Sequence, residues 1–170
     1  GLMNAVGSIL LKPAHMTTDA ELEETLRLNL WTAFATVRAG AKVMRTGGGS
    51  IVLFATAAAR TGLANHEAIA AAKGGVMALT MSAAATYASS NIRVNCIAPG
   101  LVKTAMAAGI TGNETSLKAS AAMHALGRAG ESEDVAPMAS LLLSPEGAWI
   151  TGQVFGVDGG LSTVRPRPRA

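Results

Sequence analysis

The chain has few charges, few aromatic rings and one cysteine. Only 15% of its 170 residues are charged and 4% are aromatic, while 49% are hydrophobic. That composition excludes a disordered chain and predicts one globular domain with a real core. The formal charge is +3, but Arg165, Arg167 and Arg169 sit at the very end. The eleven other basic residues balance the eleven acidic ones, so the body is near neutral. A neutral body argues against a nucleic-acid groove and a membrane-facing surface, and we expect neither partner. With Cys96 alone, no internal disulfide can form. The Val94-x-Cys96 alternation instead predicts a small buried strand residue, and nothing suggests an oxidising compartment. No uncharged apolar run reaches membrane-spanning length. The N-terminus shows no basic region with a cleavage site. Its opening, Gly1-Leu2-Met3-Asn4, reads as the middle of a longer frame.

What is present is an alternation of periods. Gly1 to Val6 predicts a short strand. Thr18-Asp19-Ala20-Glu21 is a capping box. Behind it Leu22, Leu26, Leu30, Ala33, Phe34, Val37, Ala41 and Met44 keep helical spacing until Gly47-Gly48-Gly49. Ser50 to Ala55 is a continuous apolar run, as in a strand covered on both faces. After a small-residue loop, a helix is predicted from about His66 to Ser89. Asn91 to Ile97 predicts a strand, stopped at Pro99-Gly100. Residues 101–125 read as an irregular excursion with short helices. A helix with Ser132 as N-cap should run to Leu143, and Gly152 to Val157 should form a last strand. Such alternation implies parallel strands with right-handed crossovers. The fold class is α/β, a Rossmann-like open parallel sheet with flanking helices, truncated to about four strands. We expect one domain over 1–163 and a basic mobile tail over 164–170.

Four features fit poorly with packing alone. Asn29 interrupts an apolar helix between Leu28 and Leu30. Lys73 is flanked by alanines and glycines. Gly74-Gly75 breaks a helix, at about 0.8–1 kcal/mol per glycine, which suggests close approach of another backbone. Pro99-Gly100 turns the chain at the carboxyl end of a strand, where open α/β sheets bind ligands.

Together these pieces resemble the short-chain dehydrogenase/reductase family, over nearly the whole chain. Leu2-Met3-Asn4-Ala5-Val6-Gly7 is similar to the family's strand-ending Asn-Asn-Ala-Gly stretch. Asn29 falls on its active-site asparagine and Lys73, in Ala-Ala-Lys-Gly-Gly-Val, on its catalytic lysine. Asn91-Ile-Arg-Val-Asn-Cys-Ile-Ala-Pro-Gly-Leu-Val-Lys-Thr is close to a family signature, and Thr151-Gly-Gln with Val157-Asp-Gly-Gly resembles its last strand and turn. The resemblance implies hydride transfer between NAD or NADP and a small carbonyl or alcohol substrate. It implies cofactor contacts at Asn4, Ala5, Val6, Gly7, Lys73, Pro99, Gly100, Val102 and Thr104, and a substrate lid over residues 104–125. It also implies a cytoplasmic homo-oligomer paired through the two long helices.

The implied catalytic set is Asn29, Thr56 and Lys73, and it is incomplete. The family's tyrosine falls four residues before Lys73, on Ile69, which has no proton to give. The serine position falls on Thr56, which keeps a hydroxyl. Tyr87 lies roughly 21 Å along the helix from Lys73 and cannot substitute. His66, two turns before Lys73, is a candidate acid, and Glu67 a weaker one. The family's Gly-rich pyrophosphate turn has no counterpart here. We therefore expect an impaired oxidoreductase or a non-catalytic binding or assembly module. We also expect the first strand to be an exposed sheet edge and the isolated chain to be marginally stable.

Overall fold

The computed structural model describes residues 1–167; the last part of the expected tail, Pro168 to Ala170, lies outside the described residues. Strands β1 (Leu2–Asn4), β2 (Gly49–Phe54), β3 (Ile92–Pro99) and β4 (Val154–Val157) form one four-stranded sheet in the order β1-β2-β3-β4. All three pairings are parallel, with Leu2 opposite Ile51, Ile51 opposite Val94 and Cys96 opposite Val154. Each crossover carries helices, as parallel strands require. The open α/β sheet expected from the alternation is therefore what the chain forms.

Strand β2 shows why its sequence is uninterrupted by polar residues. Ile51, Val52 and Leu53 are all fully buried, yet successive side chains face opposite ways. Ile51 and Leu53 join Ala33, Val37, Val76, Ala83, Val94 and Cys96 under one helical layer. Val52 joins Ile97, Val135, Ala139 and Leu142 under the other.

The first layer holds α1 (Asp19–Leu26), α2 (Thr32–Met44) and α3 (Glu67–Tyr87). Thr18 and Glu21 form the expected capping box at the start of α1. Helix α3, with the turn after it, is long and apolar enough at Glu67–Ser90 to cross a membrane by length and composition. Its Val76, Thr80, Ala83 and Ala84 are buried, as befits a helix laid on a sheet.

Helix α6 (Ser132–Leu143) covers the opposite face. Ser132 is its first residue rather than its cap. Glu131 and Asp134 form the capping box, because Glu131 has the extended backbone of a cap and Ser132 already belongs to the helix. Between β3 and α6 lie the short α4 (Ala108–Thr111) and α5 (Glu114–Met123), in the segment expected to be irregular.

The double glycine also differs from expectation. A Cβ on Gly74 would meet nothing within 4 Å, and one on Gly75 would meet the Leu30 side chain at 3.1 Å. The close neighbour is thus a side chain of the helix before α2, not a backbone, and only Gly75 has one.

At the edge of the sheet, Met3 and Val6 are about half exposed. The edge of β1 has no strand beside it among the described residues.

Candidate active site

The carboxyl ends of β1, β2 and β3 open into one cavity of about 800 Å³. Ala5, Val6, Gly7, Thr56, Ile69, Lys73, Pro99, Gly100, Val102 and Thr104 all line it. Residues far apart in the sequence therefore meet on one cavity. Asn4 and Asn29 do not line the cavity; both are buried behind its wall.

Asn29 organises that wall. Its Nδ2 donates to the Thr25 carbonyl at 2.9 Å and to Ser8 Oγ at 3.0 Å, while its Oδ1 accepts the Ser8 N–H at 3.2 Å. The bond to Thr25 takes up the carbonyl one helical turn back, where a backbone N–H would ordinarily bind. The helix answers by widening into a π turn over Arg27–Trp31, centred on Asn29. This explains an asparagine inside an apolar run: it exchanges local helix geometry for a fixed grip on the loop after β1. Asn4 Oδ1 accepts the Val6 N–H at 2.9 Å and holds the same loop from its other end.

Gly7 completes the contact. A Cβ there would lie 2.8 Å from Asn29 Oδ1 and 3.4 Å from Lys73 Nζ. Only a residue without a side chain lets this loop pass so near both groups.

Lys73 is only 8% exposed, although an isolated lysine on a helix is ordinarily solvated. Its Nζ donates to the carbonyl of Phe54, the last residue of β2, at 2.9 Å. Among the described residues no carboxylate pairs with it. Burial pulls its ammonium below the usual lysine range, with the nearby Cys96 opposing. One turn earlier Ile69 is 5% exposed and lines the cavity, so an apolar side chain stands beside the amine.

Thr56 Oγ1 accepts the Ala58 N–H at 3.3 Å, which leaves its own proton free to donate toward the cavity. His66 sits at the start of α3, half-buried, with Nδ1 2.7 Å from the Ala64 carbonyl. It reaches the cavity rim, as does Leu63. Glu67 is exposed and does not line it. Tyr87, at the far end of α3, does not line it either.

The stretch from Asn91 to Thr104 divides into two jobs. Arg93 donates to the Leu142 and Ser144 carbonyls at 2.8 and 3.1 Å, closing the C-terminal end of α6. Asn95 Nδ2 donates to the Ile150 carbonyl at 2.8 Å and its Oδ1 accepts the Gln153 N–H at 3.1 Å. Those two residues are architectural. The Pro99-Gly100 half faces the cavity. There a Cβ on Gly100 would sit 2.5 Å from His124 Nε2, so that ring requires glycine.

His124 and Ser8 are parts of the site that sequence reasoning did not single out, whereas the segment 104–125 falls where the family resemblance implies a substrate lid, and several of its side chains line the cavity. His124 is buried. Its Nε2 accepts the Leu101 N–H at 3.1 Å, which leaves Nδ1 to donate to the Ser120 carbonyl at 2.8 Å. It thereby pins the end of α5 to the strand end. Ser8 directly follows Gly7, and that adjacency was the available signal. His124 lies in an alanine-rich run with nothing to mark it. Met106, Ile110 and Met123 from this segment close the apolar side of the cavity.

Residues 1–162 match the family described as "Enoyl-(Acyl carrier protein) reductase". A tropinone reductase homolog of Arabidopsis thaliana is 33% identical over 162 residues, covering 95% of this chain and 61% of that protein. The chain thus spans about three-fifths of the length of the relatives it matches. A short-chain type dehydrogenase/reductase from Mycobacterium ulcerans superposes with a TM-score of 0.89 at 34% identity, over 96% of this chain and 60% of that one. A mutant 4-hydroxyisoleucine dehydrogenase, complexed with NADH and succinate, superposes at 0.90 with 26% identity, over 97% and 69%. The sheet order, the buried lysine beside Gly7 and these likenesses lead to one conclusion: the chain belongs to the short-chain dehydrogenase/reductase family.

Proposed function

We propose that this chain forms the substrate-facing part of an NAD- or NADP-dependent oxidoreductase acting on a small carbonyl or alcohol, with its proton transfer impaired. The observation that carries this reading is the meeting of Gly7, Lys73 and Thr56 on one cavity, with Ile69 where a proton donor would stand. A cradle that a single Cβ would fill, next to a buried cation, fits the ribose end of a nicotinamide nucleotide. Gly7, Lys73 and the Pro99-Gly100 bend would hold that end; Val6, Val102 and Thr104 would line its approach. Asn4 and Asn29 act through the loop they anchor. When bound, the nicotinamide supplies the hydride acceptor or donor.

The chain's own residues do the rest. Thr56 has a free proton to hold a substrate oxygen. Lys73 supplies positive charge close to that oxygen's position. Neither substitutes well for a phenol four residues before Lys73, and losing a general acid ordinarily lowers a rate by about 10²–10⁴-fold. His66 is too firmly engaged with Ala64 at Nδ1 to turn freely, but its Nε2 stays available at the rim.

Titration with NADH and NADPH, followed by fluorescence, tests binding. Consumption of either with a panel of small ketones and aldehydes tests turnover. Weak binding with slow turnover is expected, and Ile69→Tyr should raise turnover by roughly 10²-fold or more. His66→Ala should lower whatever rate the unmodified chain has. Absence of nucleotide binding in both the chain and Ile69→Tyr overturns the reading.

In that event a non-catalytic assembly role becomes the better account. One observation favours it: Trp31 and Phe34 stack on the outer face of the helical layer with centroids 6.2 Å apart, and Arg38 lies 5.5 Å over the Trp31 ring. Both rings are about half exposed. Pairing of two copies through α2 and α3 would cover them, and sedimentation of the chain beside Trp31→Ser tests that pairing.

A further inference from the structure

The apolar side of the cavity holds no charge. Its wall is Ile9, Leu11, Leu63, Met106, Ile110 and Met123. Among the described residues that line the cavity there is no aspartate, glutamate or arginine, and Lys73 is the one lysine. That lysine stands at the strand ends, held by the Phe54 carbonyl at 2.9 Å.

Charges do lie close by in the sequence, but they are turned away. Three stretches of the wall each carry a lysine: Lys12 follows Leu11, Lys103 lies between Val102 and Thr104, and Lys118 lies between Ser116 and Ala119. None of these lysines lines the cavity. Each is bound instead to a glutamate that does not line it either: Lys12 to Glu21 at 2.8 Å, Lys103 to Glu131 at 2.6 Å and Lys118 to Glu114 at 2.7 Å. Pairs as exposed as these contribute little stability. Their effect is directional, since each keeps a cationic head off the apolar wall.

We infer that the cavity selects an uncharged, apolar carbonyl compound or alcohol, such as an alkyl-substituted cyclic ketone, and rejects one that carries a carboxylate, sulfonate or phosphate. This selectivity deepens the oxidoreductase reading and rests on it for the carbonyl or alcohol. An anionic group beside Leu11, Ile110 and Met123 would lose its water and find no cation in exchange. An ammonium group there would find no carboxylate. A carbonyl oxygen meets no such difficulty, because Thr56 lines the same space with a hydroxyl proton to donate. Discrimination therefore comes from the charge that the wrong ligand would leave unpaired.

The full chain, carrying methyl-labelled methionine, is titrated without nucleotide. Met106 and Met123, half exposed on the cavity wall, report binding by the shift of their methyl signals. The probes are 4-isopropylcyclohexanone and 4-oxocyclohexanecarboxylate, which puts a carboxylate in place of an isopropyl group of similar size. The neutral ketone should bind at least about tenfold more tightly. Ile110→Lys sets a cation on the wall and should narrow or reverse that ratio. A carboxylate that binds as tightly as the ketone, or a ketone that moves neither methionine, overturns the inference; both are read on the unmodified sequence, so the folding of the variant does not decide them. An unchanged ratio in a folded Ile110→Lys overturns it too. Failure of NADH and NADPH to bind is a separate result, which sinks the oxidoreductase reading and leaves the preference for the neutral probe as measured.

Discussion

The floor and the lid of the cavity are built by opposite rules. The floor, from β1 to α3, buries polar groups and satisfies them: Asn4, Asn29, Lys73 and Thr80 are all buried, and no buried side-chain polar atom among the described residues lacks a partner. The lid, residues 105–123, buries one side chain, Ala107, and helix α5 buries none. A floor of that kind fixes atoms, since each polar group has a cost of misplacement. A lid of that kind fixes little beyond its hinge. Position is therefore held by the sheet ends, and selectivity for what enters is left to Met106, Ile110 and Met123, which touch the cavity without being locked into a core.

The largest effect should come from the floor. Asn29→Ala strands the Ser8 N–H, the Ser8 hydroxyl and the Thr25 carbonyl together. A loss of about 3 kcal/mol is expected in urea unfolding. The π turn should relax toward α, because the side chain that displaced the backbone bond is gone. If Asn29→Ala unfolds like a surface substitution, the wall after β1 is not held as described.

The floor should also titrate at high pH, with two groups pulling in opposite directions. Burial pushes the Cys96 thiol from its ordinary 9.0 up to about 11. Between those values the unfolded chain has lost a proton that the folded chain keeps, so stability falls as pH rises through that window. Lys73 lies below its ordinary 10.5. From its folded value up to 10.5 the unfolded chain holds the extra proton, so stability rises with pH there. Cys96→Ala should therefore gain on the parent by about 2 kcal/mol between pH 9 and pH 11, and Lys73→Met should lose ground as pH rises toward 10.5 and no further above it. Melting each variant across that range checks both signs. Equal slopes in all three chains would show that neither group is desolvated.

Much of this floor was legible before any coordinates. An asparagine in an apolar helix, a lysine among alanines and a strand ended by Pro-Gly each broke a local preference, and each now has a structural reason. What stayed hidden had no local signature. Arg93 and Asn95 read as part of a family motif, yet their partners are carbonyls some fifty residues on, which no spacing reveals. The double glycine misled because its cost in a helix is visible in sequence while the neighbour that crowds Gly75, Leu30, belongs to another helix. The cap of α6 shifted by one residue because Glu131, an unusual cap, holds the extended backbone and reciprocates with Asp134. The lid was placed by the family resemblance, but its anchor was not: His124 is defined by contacts with Leu101 and Gly100 across a turn of chain.

That anchor supplies the smaller effect that separates lid from floor. His124 uses both ring nitrogens, one accepting from Leu101 and one donating to Ser120. His124→Ala removes both bonds and opens space beside Gly100, so a cost of about 1–2 kcal/mol is expected. The decisive readout is where that cost appears. Hydrogen exchange should accelerate over 105–123 and at Leu101, while the amides of β2 and of Ser8 keep their protection, because no bond of the floor passes through the ring. His124→Asn, which can still accept from Leu101, should restore part of the protection at that amide. If exchange instead rises evenly across the sheet, lid and floor open as one unit, and the freedom ascribed to the lid side chains does not exist.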